Sequence, residues 1–496
     1  MRTALRAAVA ASLGMAIAAV PASASAAGSG LNAYRVKADA GALQELARQG
    51  YDVSEGRAGR TVEIAATSGQ AAKLQRLGLA PRRARTATAR TAGVRPDGSY
   101  DVYRPYWDKT YVGTDASGNP RQTLYEELQS VAAAHPGLVK VVEIGKSLRG
   151  VPILALKVTR SARTVRDGRR PSVLYSSNQH AREWITPEMT RRLLHYVLDQ
   201  YGKPDETGRR ITQVVDTTEL WFIPVGNPDG YDLTFQPGRR LWRKNVRDNN
   251  GNGQINTGDG VDLNRNFATR WGYDNEGSSP NPASDTYRGA GPSSEPETRA
   301  MDGLLRRIRF TFQVNYHSAA ELLLYPFGFQ VETYTADDPI YQALSGTDDK
   351  PAIAGNAPGA PHPYDPDVSA ELYTTNGETT DHAHTKYDTL AWTPEMDVAD
   401  PARGGGQSVF EFQDSEADLQ AAFEKNIPFA LDVAESAKDP ASPVSHLGNE
   451  VPDFEIKPFK VSYGDPQPVE ADVKRSLGAV RVHWSVNGGK ARSASS

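Results

Sequence analysis

Asn178-Gln179-His180-Ala181-Arg182-Glu183-Trp184-Ile185-Thr186-Pro187-Glu188 lies between an apolar run, Ser172-Val173-Leu174-Tyr175, and a segment, Pro187 to Tyr201, in which Met189, Leu193, Leu194 and Val197 recur at helical spacing. The run reads as a buried strand. The segment reads as a helix whose first turn accommodates Pro187. His180 and Glu183 therefore stand at the mouth of a strand-to-helix turn, close enough in sequence to converge on one point. An imidazole and a carboxylate so placed can supply two of the three protein ligands of a catalytic zinc, whose fourth position is left to water. Spacing alone is unspecific, because most His-x-x-Glu pairs are surface accidents; the reading depends on what the rest of the chain brings to the same place.

Glu219-Leu220-Trp221-Phe222-Ile223-Pro224-Val225 is a second buried strand, closed by Gly226-Asn227-Pro228-Asp229-Gly230. Phe310 to Tyr316 and Leu390 to Met396 each end beside polar residues, and shorter apolar runs lie at Val139 to Ile144 and Val151 to Val158. These strands alternate with helical patterns at Leu124 to Ala134, Pro187 to Tyr201 and Glu295 to Arg306. The alternation predicts an α/β domain over residues 100–437, with a mixed, mostly parallel central sheet and helices on both faces. In such a sheet the loops at the carboxyl ends of the strands carry the chemistry. Phe312-Gln313-Val314-Asn315-Tyr316-His317-Ser318 puts a histidine at such an end, and with His180 and Glu183 it completes a His-Glu-His set drawn from different strands. Arg243, in Leu241-Trp242-Arg243-Lys244-Asn245, and the run Asp262-Leu263-Asn264-Arg265-Asn266 add cationic and amide donors.

The 496 residues suit roughly three domains of about 150 residues each or, equally well, one large α/β domain with small flanking pieces. Lys and Arg (56) nearly balance Asp and Glu (60), which argues against nucleic acid as a primary partner. With no cysteine there are no disulfides and no thiolate ligands, so a metal must be held by His, Asp, Glu or backbone oxygen. Arg2 and Arg6, the apolar segment Ala7 to Val20 and the small residues Pro21 to Ala27 have the layout of a secretory leader over residues 1–27. The segment is shorter than the roughly 20 apolar residues that span a bilayer. A secreted protein with no membrane attachment is expected.

Val36-Lys37-Ala38 leading into Gly41 to Gly50 is echoed by Val62-Glu63-Ile64 leading into Gly69 to Gly78, which predicts a small module of two strand-helix copies. The basic stretch from Arg82 to Arg90 behind it is a linker open to a trypsin-like protease. Residues 28–92 therefore read as a propeptide that covers the following domain and needs an activating protease. After Pro443, Phe454 to Tyr463 and Ala479 to Val486 alternate like strands around Asn487-Gly488-Gly489, a short β-rich segment over 444–496. Asp248, Asn250, Asn252 and Asp259, with Gly253 between them, place oxygens at the spacing of a calcium loop, so Ca2+ is a candidate second ion.

Six motifs occur in the order seen in zinc carboxypeptidases of the pancreatic carboxypeptidase A and B type. They are His180-Ala181-Arg182-Glu183-Trp184-Ile185, Asn227-Pro228-Asp229-Gly230, Trp242-Arg243-Lys244, Asp262 to Asn266, Ser284-Asp285-Thr286-Tyr287-Arg288-Gly289 and Tyr316-His317-Ser318. Trp392-Thr393-Pro394-Glu395-Met396 follows where that family places its catalytic glutamate, although the animal enzymes have a Phe-Glu-Leu-like context there. The chain resembles this family over about 330 residues. The resemblance implies Zn2+ on His180, Glu183 and His317, with Asp262 behind His180. It makes Glu395 the general base and then acid, and turns Arg243 to the scissile carbonyl. It assigns the terminal carboxylate of a peptide or protein substrate to Asn264, Arg265 and Tyr373, the last found by an ungapped count back from Glu395 through Asp381. It also puts Thr380 at the base of the specificity pocket, where an acid marks preference for Lys or Arg and an aliphatic residue preference for apolar side chains. Threonine is neither. Glu371, Glu378 and Asp381 lie nearby, and broad or apolar specificity is the expectation. Two other readings compete: a cell-wall peptidase of the same fold, and an inactive zinc-binding adhesion or carbohydrate-binding protein. A pure binder has no use for Glu395, Arg243 and Arg265 together.

Overall fold

The computed structural model describes residues 30–37, 39–53, 57–58, 61–84, 100–355, 362–397, 408, 410, 415–456, 471–473, 481–484, 490 and 492–495. The expected leader, most of the basic linker and the turn at 487–489 lie outside these residues. No helix among the described residues is long and apolar enough to cross a membrane.

The first part of the chain runs β1 (Asn32–Lys37), α1 (Ala40–Arg48), β2 (Arg57–Ala58), β3 (Thr61–Ala66), α2 (Ser68–Arg76) and β4 (Arg82–Arg83). Both halves of the repeat thus fold as strand then helix. Asp39 caps α1, and Thr67 with Gln70 forms a reciprocal capping box on α2. The strands pair antiparallel in the order β2-β3-β1-β4. Val36, Leu46, Val62, Ile64 and Leu74 form a core of their own beneath the two helices.

The main domain follows as α3 (Leu124–Ala134), β5 (Val139–Lys146), β6 (Pro152–Val158), β7 (Ser172–Ser177), α4 (Ile185–Gln200), α5 (Glu206–Thr217), β8 (Glu219–Ile223), α6 (Pro228–Thr234) and α7 (Pro296–Ile308). It continues with β9 (Phe312–Ser318), β10 (Leu322–Tyr325), α8 (Asp338–Ser345), β11 (Gly346–Thr347), β12 (Lys350–Pro351), β13 (Asp365–Val368), α9 (Ser369–Leu372), α10 (Thr379–Tyr387), β14 (Leu390–Met396) and α11 (Glu416–Ser436). Eight strands make one sheet in the order β13-β10-β14-β9-β7-β8-β6-β5. Four of its seven pairings are parallel, and they include the contiguous centre β14-β9-β7-β8.

Alternation along the strands sorts the core into two layers. Val173 and Tyr175 of β7, Phe222 of β8, Val314 of β9 and Trp392 of β14 pack with Leu193, Leu194 and Val197 of α4 and Phe429 and Val433 of α11. Leu174, Trp221 and Ala391 point the other way, onto Met301, Leu304 and Leu305 of α7 and Ala383 of α10. Every residue of β7, β8, β9 and β14 is buried, as befits strands covered on both faces. Burial of such side chains contributes about 1.5–3 kcal/mol each, so the platform that carries the site is rigid.

Three elements had no readable period. In α11, Pro428 interrupts the pattern although the helix runs through it, and the Tyr175 hydroxyl donates to the Ala430 carbonyl at 2.6 Å. Strands β10 and β13 are only four residues long, and β13 is Asp-Pro-Asp-Val. Beyond the domain, β15 (Phe454–Ile456) pairs with β16 (Ala471–Val473) and β17 (Arg481–Trp484) with β18 (Arg492–Ser495), both antiparallel.

The N-terminal module lies against the carboxyl-end loops of the large sheet. The Gly50 carbonyl accepts from Ser284 Oγ at 2.7 Å and from the Asp285 amide at 2.9 Å. Gly50 has φ +86°, and a Cβ there would sit 2.6 Å from Ser284 Oγ, so only glycine permits this approach. Ala33 and Ala65 pack on Leu241 and Phe410.

Candidate active site

Parallel strands β7, β9 and β14 deliver their carboxyl ends to one side of the sheet. At the end of β7, Asn178 adopts φ +57°, a left-handed conformation that asparagine tolerates better than most residues. Its amide donates to the His180 carbonyl at 3.1 Å, which fixes the turn into α4. His180 Nδ1 then lies 2.5 Å from Glu183 Oε1 and 3.0 Å from His317 Nδ1, and His317 Nδ1 is 3.2 Å from Glu183 Oε2. All three side chains are buried and can each offer one ligand atom within 4.8 Å of the others.

This donor set fits a zinc ion on three counts. Both Nδ1 atoms and the carboxylate face the same point, and Glu183 Oε2 has no hydrogen-bond partner although it is buried. The opposite ring nitrogens are turned outward: His180 Nε2 is 3.1 Å from Asp262 Oδ1, and His317 Nε2 is 3.3 Å from Gln179 Oε1 and 2.9 Å from Asn315 Nδ2. Asp262, whose burial alone would raise it, is held well below the usual carboxylate range by Arg243, His180 and Arg265. It is therefore an acceptor that keeps the proton on His180 Nε2 and leaves Nδ1 for the ion. Burial, with the charges of His180 and Arg243, pushes His317 well below the usual histidine value and keeps it neutral. Against burial, Glu183 and Asp262 raise His180 to about 10, so without metal it holds a proton that a dication must displace.

Glu395 faces this cluster from β14, where it is the register partner of His317 on β9. The ladder pairs Trp392 with Val314 and resumes at Glu395, omitting Thr393 and Pro394; proline has no N–H to give to it. Glu395 is 6% exposed, and its Oε2 is buried without a partner. Burial, with Asp52 adding to it and His180, Arg243 and Arg265 opposing, pushes Glu395 up to about 7.

The guanidinium of Arg243 donates through Nε at 3.2 Å and Nη2 at 3.0 Å to Asp262 Oδ2, and through Nη1 at 2.7 Å to Asp52 Oδ2. Arg182 Nη2 reaches the same Asp52 oxygen at 3.3 Å. Arg265 donates to the Asn264 carbonyl at 2.7 Å and to the Tyr373 hydroxyl. Asn264 Oδ1 accepts from the Thr379 amide at 2.9 Å and hydroxyl at 2.8 Å. Thr380 Oγ1 donates to Glu378 Oε1 at 3.1 Å. Asn264, Arg265, Tyr373 and Thr380 are thus gathered at the start of α10.

The four residues read as a calcium loop lie apart from this cluster. Asp248 accepts from the amides of Gly251, Asn252 and Gly253, and Asp259 from Asn249, Asn250 and Asn256. Asn250 and Asn252 accept from the amides two residues on. These oxygens close the loop by hydrogen bonds of its own.

Three residues of the site carried no assigned role in the sequence. Asn315 stands two residues before His317 on the same face of β9, a period-2 signal that could have marked it. Gln179 lies within the deciding stretch. Asp52, 3% exposed, follows Tyr51 in no pattern, and only the tertiary fold brings it to Arg243.

A family profile described as zinc carboxypeptidase matches residues 124–427. Metallocarboxypeptidase A of Trichophyton rubrum is 32% identical over 311 residues, 62% of this chain; the chain spans 66% of that relative's length. Among solved structures, thrombin-activatable fibrinolysis inhibitor is similar with a TM-score of 0.61 at 20% identity, covering 83% of this chain and 100% of the other. Carboxypeptidase A from Helicoverpa armigera gives 0.60 at 22% identity, covering 83% and 98%. At those identities the likeness speaks for the fold alone. The profile spans every strand that brings a side chain to the His-Glu-His cluster, and on that match the chain belongs to the zinc carboxypeptidase family.

Proposed function

We propose that this protein is a secreted zinc carboxypeptidase that hydrolyses the last peptide bond of peptides and proteins. The observation that carries the reading is the meeting of His180, Glu183 and His317 with Glu395 in register across from them and Arg243 and Arg265 in the same buried site. His180, Glu183 and His317 would hold the zinc, which when bound acts as a Lewis acid on a carbonyl and lowers the pKa of water to roughly 7. Glu395 takes the proton of the attacking water and returns it to the leaving amine, a role suited to a buried carboxylate raised towards neutrality. Arg243, already desolvated, donates to the oxygen on which negative charge grows. Arg265, a planar fork beside Asn264 and Tyr373, grips the terminal carboxylate. Only a chain end presents that carboxylate one residue beyond the bond cut, so the grip makes the enzyme an exopeptidase.

The test is hydrolysis of blocked dipeptides with free or amidated carboxyl ends by the full chain after limited trypsin treatment. Cleavage of the free form alone, lost on zinc chelation and restored by zinc, is the expected result. Equal cleavage of the amide, or indifference to the chelator, would sink the assignment.

The module of residues 28–92 is, on this reading, an inhibitory propeptide. Its Asp52 takes the Nη1 donor of Arg243 that a substrate oxygen would need, and the linker behind it is the site for an activating protease. Coupling energies of close, buried charge pairs start at about 1.5 kcal/mol, or about tenfold. Asp52→Ala should therefore raise the activity of the uncleaved chain about tenfold, with little change once the linker is cut. Uncleaved activity equal to that of the wild type would show that Asp52 does not inhibit.

A further inference from the structure

Behind the metal cluster runs a line of buried polar side chains that the proposed chemistry does not use. Gln313, Asn315 and His317 alternate along one face of β9, and Ser176 of β7 is the register partner of Asn315. The register partners of Gln313, Leu174 on β7 and Ala391 on β14, belong to the apolar layer on that side. Burying amides in such a layer is unfavourable unless they are hydrogen-bonded. Ser176 Oγ donates to Asn315 Oδ1 at 2.8 Å, and Asn315 Nδ2 donates to Gln179 Oε1 at 2.8 Å.

At Gln179 the line divides. When His317 Nδ1 holds an ion, its Nε2 carries the proton and needs an acceptor. Asn315 Nδ2, 2.9 Å from that nitrogen, is a donor and cannot serve. Gln179 Oε1, at 3.3 Å, can. On its other side Gln179 Nε2 donates to Thr379 Oγ1 at 2.8 Å. That bond occupies a lone pair of the hydroxyl and turns its proton towards Asn264 Oδ1, 2.8 Å away, which also accepts the Thr379 amide at 2.9 Å. The alternative acceptor for the hydroxyl, Gln179 Oε1 at 2.9 Å, already serves Asn315 and His317. The Asn264 carbonyl in turn accepts from Arg265 at 2.7 Å. One buried amide therefore touches a metal ligand with its oxygen and the support of the carboxylate grip with its nitrogen.

We propose that Gln179 is a positioning residue for both halves of the site. It sets the tautomer in which His317 binds zinc and, through Thr379, the direction in which Asn264 is presented to the terminal carboxylate. The second half rests on the carboxypeptidase reading; the first concerns metal binding alone.

The experiment measures zinc affinity of the purified full chain by competition with a chromophoric chelator. It also measures kcat and KM on blocked free-acid dipeptides at saturating zinc, after limited trypsin treatment. The variants are Gln179→Met, Gln179→Glu, Thr379→Val and the double variant of Gln179→Met with Thr379→Val. Methionine has the length of glutamine without its amide, and Gln179→Met should weaken zinc binding about 10–100-fold. It should also raise KM about threefold to tenfold, the worth of one hydrogen bond. Gln179→Glu keeps an acceptor for His317 and loses the donor to Thr379, so zinc affinity should recover while KM stays raised. Thr379→Val should raise KM and leave zinc affinity unchanged, and in the double variant the two effects on KM should fall short of their product.

Zinc affinity and KM both unchanged in Gln179→Met would overturn the inference, even if the metal-free chain melted lower, because Gln179 would then only fill space. Weakened zinc with KM unmoved would overturn it too, since the amide would serve the metal alone. Should Gln179→Met not fold, Gln179→Glu decides: zinc held with KM raised supports the proposal, and zinc weakened about tenfold or more sinks it. If the wild type cleaves no free-acid dipeptide, the carboxypeptidase reading falls, and the zinc measurements alone still decide whether Gln179 sets His317.

Discussion

Glu395→Gln is expected to lower kcat by about 10²–10⁴-fold, the contribution of a positioned acid-base group. The substitution keeps the shape of a buried side chain and removes its ability to take a proton. His180, Glu183 and His317 are untouched, so zinc content measured on the purified protein should match the wild type. Arg265, Asn264 and Tyr373 are also untouched, so KM should change little. The pH profile supplies an independent check. In the covered, metal-free chain, burial and Asp52 push Glu395 up to about 7 against His180 and Arg243. A dication beside it and the departure of Asp52 both favour its charged form. The base must be ionised to work, so activity falls as pH drops through its pKa, and the acid limb of kcat/KM should lie below pH 7. A Glu395→Gln variant within tenfold of the wild type would mean that the proton goes elsewhere.

Arg243→Ala should cost about 10²–10³-fold in kcat on the activated enzyme, the loss seen when one pre-placed donor to a developing oxyanion is removed. It should also lower stability, because Asp262 loses two of its charged donors, at 3.2 and 3.0 Å, and stays buried. Breaking a buried pair in this way costs about 3–5 kcal/mol. Arg243→Lys separates the two effects. It restores a charge near Asp262 and so most of the melting temperature, but a point charge cannot bond Asp262 and the substrate oxygen at once as the planar fork does. Melting recovered with kcat still depressed is the expected outcome. Full recovery of kcat by lysine would reduce Arg243 to a structural counter-ion.

The parts legible in the sequence are those in which a local pattern coincides with a tertiary role. β7, β9 and β14 are buried on both faces, and the polar residues at or just past their carboxyl ends are the ones the sheet gathers. Tyr373 was reached by counting, and its hydroxyl accepts from Arg265. What stayed hidden lacks such coincidence. α11 contains Pro428, β10 and β13 are too short for a period to show, and Asp52 is an acid in a separate module whose meaning comes only from what docks there.

The sharing of one guanidinium between Asp262 and Asp52 bears on how latency would end. Asp262 belongs to the large domain and Asp52 to the module, so on the proposed reading Asp262 would go on holding Arg243 once Asp52 had left. Switching on would then be an unveiling, with no refolding of the machinery underneath. A nick in the linker would leave the severed module seated until it diffuses away, so dilution, rather than further proteolysis, would set how fast the last of the activity emerges.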